Sequence, residues 1–206
     1  PSQRMDTCIM ITVYDLETTG FMNNYSPDPE DQPGVVQIGA ATYDYDMKLI
    51  AEFDMLVNPE LRNPDKWTED AMEVSNIRPA DVVDAPNFFT ILPKFADFVR
   101  GSKYLLGYNH IKFDNLVLDW QLKRYGFEHH FPWPSIHIDV MEVAGEALNQ
   151  RRKRGRKNPK LGEIYEDLFE KELEGAHNAL FDVLGTADVF RELGGLAGSG
   201  FIERSS

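Results

Sequence analysis

The stretch CIMITVYDLETTG, residues 8–20, opens on an apolar run and closes on two acids, two threonines and a glycine. Residues 8–16 are rich in β-branched and apolar side chains and read as a buried strand. Side chains alternate along a strand, so Asp15 and Glu17, two positions apart, project from one face. Two like charges side by side are unfavourable unless something neutralises them. On its own the pair is also what remains when a strand simply ends in solvent, because D-x-E is common by chance. Gly20 then lets the chain turn away.

Outward from that strand the pattern is α/β. Residues 21–34, with three prolines and two asparagines, read as a loop. Residues 35–46 and 48–59 read as two strands, separated by so little that they form an antiparallel hairpin. A short helix is expected between Pro64 and Asn76, capped by Thr68, with Glu69 and Asp70 in its first turn. Residues 85–101 read as a helix ending at Gly101, kinked or interrupted at Pro93. A short strand, KYLLGYN, follows. Next comes a helix over 113–126 with Leu116, Leu118 and Leu122 inside. Residues 135–150 look like a strand passing into a helix, residues 151–160 like a loop, and LGEIYEDLFEKEL like another helix. Three strands followed by alternating helix and strand predict a mixed sheet whose antiparallel part comes first.

The last helix, HNALFDVLGTADVF at 177–190, carries an apolar stripe of Leu180, Val183, Leu184, Ala187 and Phe190. His177 opens it, and Asp182 interrupts it five residues later. Residues five apart on an ideal helix are separated by about 140°, so the two cannot share a face if both are helical. The conflict disappears if the helix begins near Asn178 and His177 sits in the loop before it, where Gly175 favours a turn. A third acid, Asp114, follows Phe113 after an apolar strand; alone it is an ordinary residue for a first helical turn.

Bulk composition narrows the class. With 206 residues, 42% hydrophobic and 27% charged, the chain suits one soluble domain with a full core. No apolar run approaches the roughly 20 residues that span a bilayer, so no membrane partner is expected. The start lacks an apolar signal core, and residues 1–8 read as an N-terminal extension. Cys8 is the single cysteine, which excludes an internal disulfide and points to a reducing, cytoplasmic setting, or a nuclear one in a eukaryote. The net charge of −13 argues against a general nucleic-acid binder, but seven of the 21 Lys and Arg fall in RRKRGRKNPK, residues 151–160. The glycine-rich stretch from 194 to 206 reads as a flexible tail.

Taken together, DLET, NHIKFD and HNALFD, in that order and each at the edge of an apolar element, closely resemble the motifs of the DEDDh exonucleases. This is the DnaQ-like 3′→5′ family, with a ribonuclease H-like fold. Its first motif is matched by Asp15, Glu17, Thr18 and Gly20, its second by Asn109, Phe113 and Asp114, its third by His177 and Asp182. VVQIGAATYD, FDMLVNP and HIDVMEVA also look like the family's text, and the resemblance spans residues 9–193.

The resemblance implies a ribonuclease H-like mixed five-stranded sheet flanked by helices. It also implies two Mg²⁺ or Mn²⁺ ions per site, held by Asp15, Glu17, Asp114 and Asp182. An all-oxygen donor set suits those ions, and there is no Cys/His cluster to suggest zinc. Two such ions clamp a phosphodiester, one activating water and the other stabilising the leaving oxygen. His177 becomes the general base, a role suited to imidazole because it titrates near neutrality. Leu16, Thr18, Asn109 and Phe113 become contacts to the terminal nucleotide. The implied partner is the 3′ end of single-stranded DNA or RNA, with nucleoside 5′-monophosphates as products.

Arg151, Arg152, Lys153, Arg154, Arg156 and Lys157 are candidates for phosphate contact beyond that end. The alternatives for this segment are a solvated loop or a nuclear-localisation signal. His129, His130 and His137 lack a motif and read as ordinary surface or boundary residues. The alternative functions are an RNA-processing exoribonuclease, a proofreading subunit bound to a polymerase or another replication or repair partner, and a catalytically silent module. The last would lack one of the five motif residues, and none is missing.

Overall fold

The computed structural model describes residues 9–61, 63–152 and 158–198. Its frame is a five-stranded sheet in the order β3-β2-β1-β4-β5. Strand β1, Met10–Thr18, pairs antiparallel with β2, Val35–Tyr43, which pairs antiparallel with β3, Leu49–Leu56. On its other side β1 runs parallel to β4, Ser102–Gly107, and β4 parallel to β5, Ile136–Asp139. The expected mixed sheet is therefore present, with its antiparallel hairpin first.

Helices cover both faces: α1 (Glu69–Ser75), α2 (Pro79–Val82), α3 (Phe88–Val99), α4 (Asp114–Arg124), α5 (Val140–Arg152), α6 (Leu161–Phe169), α7 (Ala179–Glu192) and α8 (Gly195–Gly198). Alternation along β1 sorts the core. Ile11 and Val13 face a cluster with Ala144, Ile164, Val183, Ala187 and Phe190, from α5, α6 and α7. Tyr14 and Leu16 face the opposite cluster, with Ile91 and Phe95 of α3 and Val117, Leu118 and Leu122 of α4. Both clusters are buried, so each face of the sheet has its own apolar layer and the odd-numbered acids of β1 point to the α7 side.

Several boundaries differ from expectation. Thr68 does cap α1, its hydroxyl accepting from Ala71 N at 3.2 Å. Pro93 does not interrupt α3. It sits on the exposed side of the helix, while Phe88, Ile91, Leu92, Phe95 and Val99 form one continuous buried face. Leu116 is 46% exposed, not inside. The buried rows of α4 are Val117 with Gln121 and Leu118 with Leu122, and Leu116 lies a third of a turn away. Helix α6 stops at Phe169 because Glu170 adopts the left-handed conformation, φ 55°. The tail is helical at its start, and Leu196 of α8 is buried. Helix α5 continues through Arg151 and Arg152, where a loop was expected. Residues 153–157, and with them Lys153, Arg154, Arg156 and Lys157, lie outside the described residues, as do 1–8 and 199–206.

Candidate active site

Asp15 and Glu17 leave β1 on the α7 face. Their partners across β2 are Gly39 and Gln37, and those two residues seat the start of α7. At Gly39 a Cβ would lie 2.3 Å from the carbonyl carbon of Ala179, so the absence of a side chain is what admits the helix. Gln37 accepts from Ala179 N through Oε1 at 3.2 Å and donates from Nε2 to Asp54 Oδ1 at 2.8 Å. With α7 seated there, Asp182 in its first turn meets the two acids of β1. One carboxylate oxygen each from Asp15, Glu17 and Asp182 lies within 4.8 Å of the others.

The five-residue spacing of His177 and Asp182 resolves as the sequence requires. His177 stands before the helix with φ 67°, and Asn178 is the cap, its Oδ1 accepting from Phe181 N at 3.4 Å. The His177 backbone N–H donates to Asp182 Oδ2 at 3.1 Å, which ties the loop to the carboxylate. His177 is exposed.

Asp114 reaches the site from the other side of β1. The parallel ladder between β1 and β4 ends at the pair Val13 and Leu106, and the chain leaves the sheet after Gly107. Asn109, at φ 63°, turns it, and its N–H donates to Asp139 Oδ1 at 2.9 Å. Asp139 also accepts from Met141 N at 3.1 Å, so one carboxylate holds both the loop and the start of α5. Asp114 then opens α4, buried, with Oδ1 accepting from Leu16 N at 3.0 Å in place of a strand partner. It lies outside the group of three carboxylates drawn within 4.8 Å of one another. It is the fourth wall of the same site, and its charge is felt by Asp15 and Glu17.

The electrostatics are those of a site short of positive charge. Burial, then Asp114, Glu17 and Asp182, hold the Asp15 carboxyl well above the usual range. Burial and the charges of Asp182 and Asp114 push Glu17 up to about 8. Asp114 is pushed up to about 7 by burial, although the N–H groups of Leu16 and of Asp114 itself oppose the shift. Burial raises Asp182 as well, against the His177 N–H. Among the described residues, no ion pair with Lys or Arg reaches any of the four. A cluster of oxygen donors whose charges repel one another and lack a counter-ion fits hard divalent cations such as Mg²⁺ or Mn²⁺.

Beside the acids lies a cavity of about 150 Å³, lined by Leu16, Glu17, Thr18 and Phe113, together with Phe21, Asp70 and Val74. Of the four residues expected at the terminal nucleotide, Leu16, Thr18 and Phe113 line this cavity and Asn109 does not. The Thr18 hydroxyl is turned inward, donating to Gly20 O at 2.9 Å. Sequence reasoning missed Phe21, whose ring lies 6.4 Å from that of Phe113 while remaining 82% exposed. An aromatic one residue beyond the D-x-E-T-x-G run was the available signal. It also missed Gly39 and Gln37, which carry no chemistry of their own. His137 is half-buried, a boundary residue as expected, and is hydrogen-bonded to Asn115. The end of the basic segment returns to this region: Tyr108, next to Asn109, donates its hydroxyl to Pro159 O at 2.8 Å.

Known proteins are similar to this chain in sequence and in fold. A family model described as an exonuclease, RNase T, matches residues 12–190. The PolC-type DNA polymerase III of Caldanaerobacter subterraneus subsp. tengcongensis is 28% identical over 178 residues, which are 86% of this chain and 11% of that polymerase. The PolC-type polymerase of Staphylococcus haemolyticus is 26% identical over the same shares. This chain thus spans only a small part of the length of these relatives. Among solved structures, E. coli exonuclease I in complex with a dT13 oligonucleotide has a TM-score of 0.71 at 18% identity, covering 90% of this chain and 41% of that one. Exonuclease I from Methylocaldum szegediense has a TM-score of 0.70 at 22% identity, covering 90% and 40%. At such identities the likeness is one of fold, the ribonuclease H-like mixed sheet. No helix among the described residues is long and apolar enough to cross a membrane. With a carboxylate cluster at the end of β1 and the family model matching nearly the whole described chain, the protein belongs to the exonuclease family, in its DnaQ-like DEDDh branch.

Proposed function

We propose that the chain hydrolyses phosphodiester bonds at the 3′ end of single-stranded nucleic acid, DNA in preference to RNA, and releases nucleoside 5′-monophosphates. The observation that carries this reading is the meeting of Asp15, Glu17 and Asp182 within 4.8 Å, beside a cavity lined by Leu16 and Phe113. Asp15, Glu17, Asp114 and Asp182 hold two divalent cations, Mg²⁺ or Mn²⁺. When bound, these supply the positive charge that draws the attacking water and the departing 3′ oxygen of the next nucleotide. His177, exposed at the mouth and tied by its backbone to Asp182, takes the proton of that water. The terminal base lies against Leu16 and Phe113, with Phe21 at the rim and Thr18 and Asn109 shaping the turn on either side. The preference for single-stranded DNA is supported by the fold shared with an exonuclease I bound to a dT13 oligonucleotide.

The test is digestion of 5′-labelled single-stranded DNA, duplex DNA and RNA of matched sequence, with Mg²⁺ and then Mn²⁺. Single-stranded DNA should shorten from the 3′ end in one-nucleotide steps, and EDTA should stop it. Products shortened from the 5′ end, or turnover in excess chelator, overturn the reading. Faster loss of RNA would replace it with an exoribonuclease.

Arg151, Arg152, Lys153, Arg154, Arg156 and Lys157 contact phosphates upstream of the terminal nucleotides. The return of this segment beside Tyr108 supports that role. Neutralising all six should raise KM on a long oligonucleotide and flatten its salt dependence, by up to about 0.7 per lost contact in the slope of log K against log salt for single strands. Cleavage of a dinucleotide should hardly change. Unaltered KM and salt slope on the long substrate would remove the contact. A second reading, proofreading beside or within a polymerase, is favoured by the similarity to PolC-type polymerases. Copurification with a polymerase from source cells tests it.

A further inference from the structure

Behind the carboxylates, on the α4 side of the sheet, runs a directional chain of hydrogen bonds that nothing in the proposed chemistry uses. The Tyr14 hydroxyl donates to Asn115 Oδ1 at 2.5 Å. The Asn115 amide nitrogen lies 2.9 Å from His137 Nδ1, and His137 Nε2 lies 3.1 Å from the carbonyl oxygen of Pro134. A carbonyl only accepts and an amide NH₂ only donates, so His137 must carry its proton on Nε2 and leave Nδ1 bare. Every member then has one orientation. Burial lowers the His137 pKa, in keeping with the neutral ring. Against this chain packs His110, fully buried, 6.0 Å from the His137 ring and 5.9 Å from that of Tyr14.

The two ends of the first bond are the immediate neighbours of two site acids: Tyr14 precedes Asp15, and Asn115 follows Asp114. Strand pairing between β1 and β4 has already ended at Val13 and Leu106, so no ladder holds this part of β1 on that side. Two cross-links take its place, Leu16 N to Asp114 Oδ1 and Tyr14 to Asn115, and they straddle Asp15. We infer that Tyr14, Asn115 and His137 are positioning residues that set the separation of Asp15 from Asp114, and so the affinity of the site for its divalent cation. The inference rests on the reading that these carboxylates hold such ions. Outer partners that orient metal ligands typically change metal affinity by 10–100-fold when removed.

Tyr14→Phe removes the donor and keeps the ring that packs on His110 and Phe95. Titration of the nucleic-acid-free protein with Mn²⁺ by calorimetry should show at least about tenfold weaker binding for this variant. Turnover in limiting Mn²⁺ should fall, be restored in excess Mn²⁺, and leave KM for the oligonucleotide unchanged. His137→Leu, which strips Asn115 of its acceptor, should weaken Mn²⁺ binding in the same direction. His137→Asn, whose Oδ1 can replace the ring Nδ1, should bind Mn²⁺ more tightly than His137→Leu. If the wild type binds Mn²⁺ and these variants only melt earlier, with wild-type affinity, the chain is merely structural and the inference is wrong. If Tyr14→Phe does not fold, the His137 pair decides alone. Failure of the wild type to bind Mn²⁺ would instead overturn the proposed function.

Discussion

Asp15→Asn and Asp182→Asn will each reduce turnover on single-stranded DNA by on the order of a thousandfold or more, while raising the melting temperature of the metal-free protein. The loss follows from the several kcal/mol of charge stabilisation a bound cation contributes, at about 1.4 kcal/mol per factor of ten. The gain follows from repulsion. Glu17, at about 8, and Asp114, at about 7, have folded pKa values above their ordinary ones, so the folded protein keeps protons that the unfolded chain releases. That contribution is fully present below the ordinary values of 4.5 and 3.8 and is lost as pH rises through about 7 and 8. The metal-free wild type should therefore melt at falling temperature between pH 5 and 8. Mn²⁺, which binds the deprotonated acids, should flatten or reverse the trend. Removing one acid lowers the repulsion on the others and the pH slope with it. In a domain of this size each kcal/mol corresponds to about 2–4 °C. Scanning calorimetry across pH, with chelator and with Mn²⁺, checks both halves. A wild type insensitive to metal, together with an Asp182→Asn variant of normal turnover, would remove these residues from the site.

Gly39→Val should disable the site from its far side. The added Cβ would fall 2.3 Å from Ala179 C and 2.4 Å from Leu180 N, and these are backbone atoms that cannot swing aside. Helix α7 must back away from β2, which also breaks the bond from Ala179 N to Gln37 and carries Asp182 away from Asp15. Overpacking of this kind costs about 1–3 kcal/mol, or roughly 2–12 °C in melting temperature. The larger effect is on the chemistry, since displacements of about 1 Å at a catalytic constellation reduce rates by on the order of a hundredfold. Turnover and Mn²⁺ affinity should fall together. Gly162→Ala is the control: a Cβ there meets nothing within 4 Å, and it should leave both quantities unchanged. A Gly39→Val protein with wild-type melting and Mn²⁺ affinity would show that the seating of α7 does not set the site.

Much of this arrangement was legible in the chain because it depends on local periodicity. The parity of Asp15 and Glu17 follows from strand alternation alone, and so does the side of the sheet they share with Ile11 and Val13. The hairpin of β2 and β3 and the Thr68 cap rest on spacing and on one side chain bonding to its own neighbourhood. The motif order DLET, NHIKFD and HNALFD carried the family and, with it, the five residues proposed for catalysis. Features decided by contacts between distant segments were not legible. Whether Leu116 or Val117 faces inward depends on how α4 sits against the sheet, and only Val117 is buried. Pro93 stays within α3 because the buried face of that helix is continuous on either side of it. Leu196 is covered because the core formed by α5, α6 and α7 reaches it. Above all, the sequence brings Asp182 near His177 but not near Asp15. That meeting needs the bare backbone of Gly39 opposite Asp15, Gln37 on the first amide of α7, and an end of the β4 ladder that leaves room for Asp114. Burial by those contacts, rather than the identity of the acids, is also the largest cause of their raised pKa values, since desolvation is a property of the assembled site.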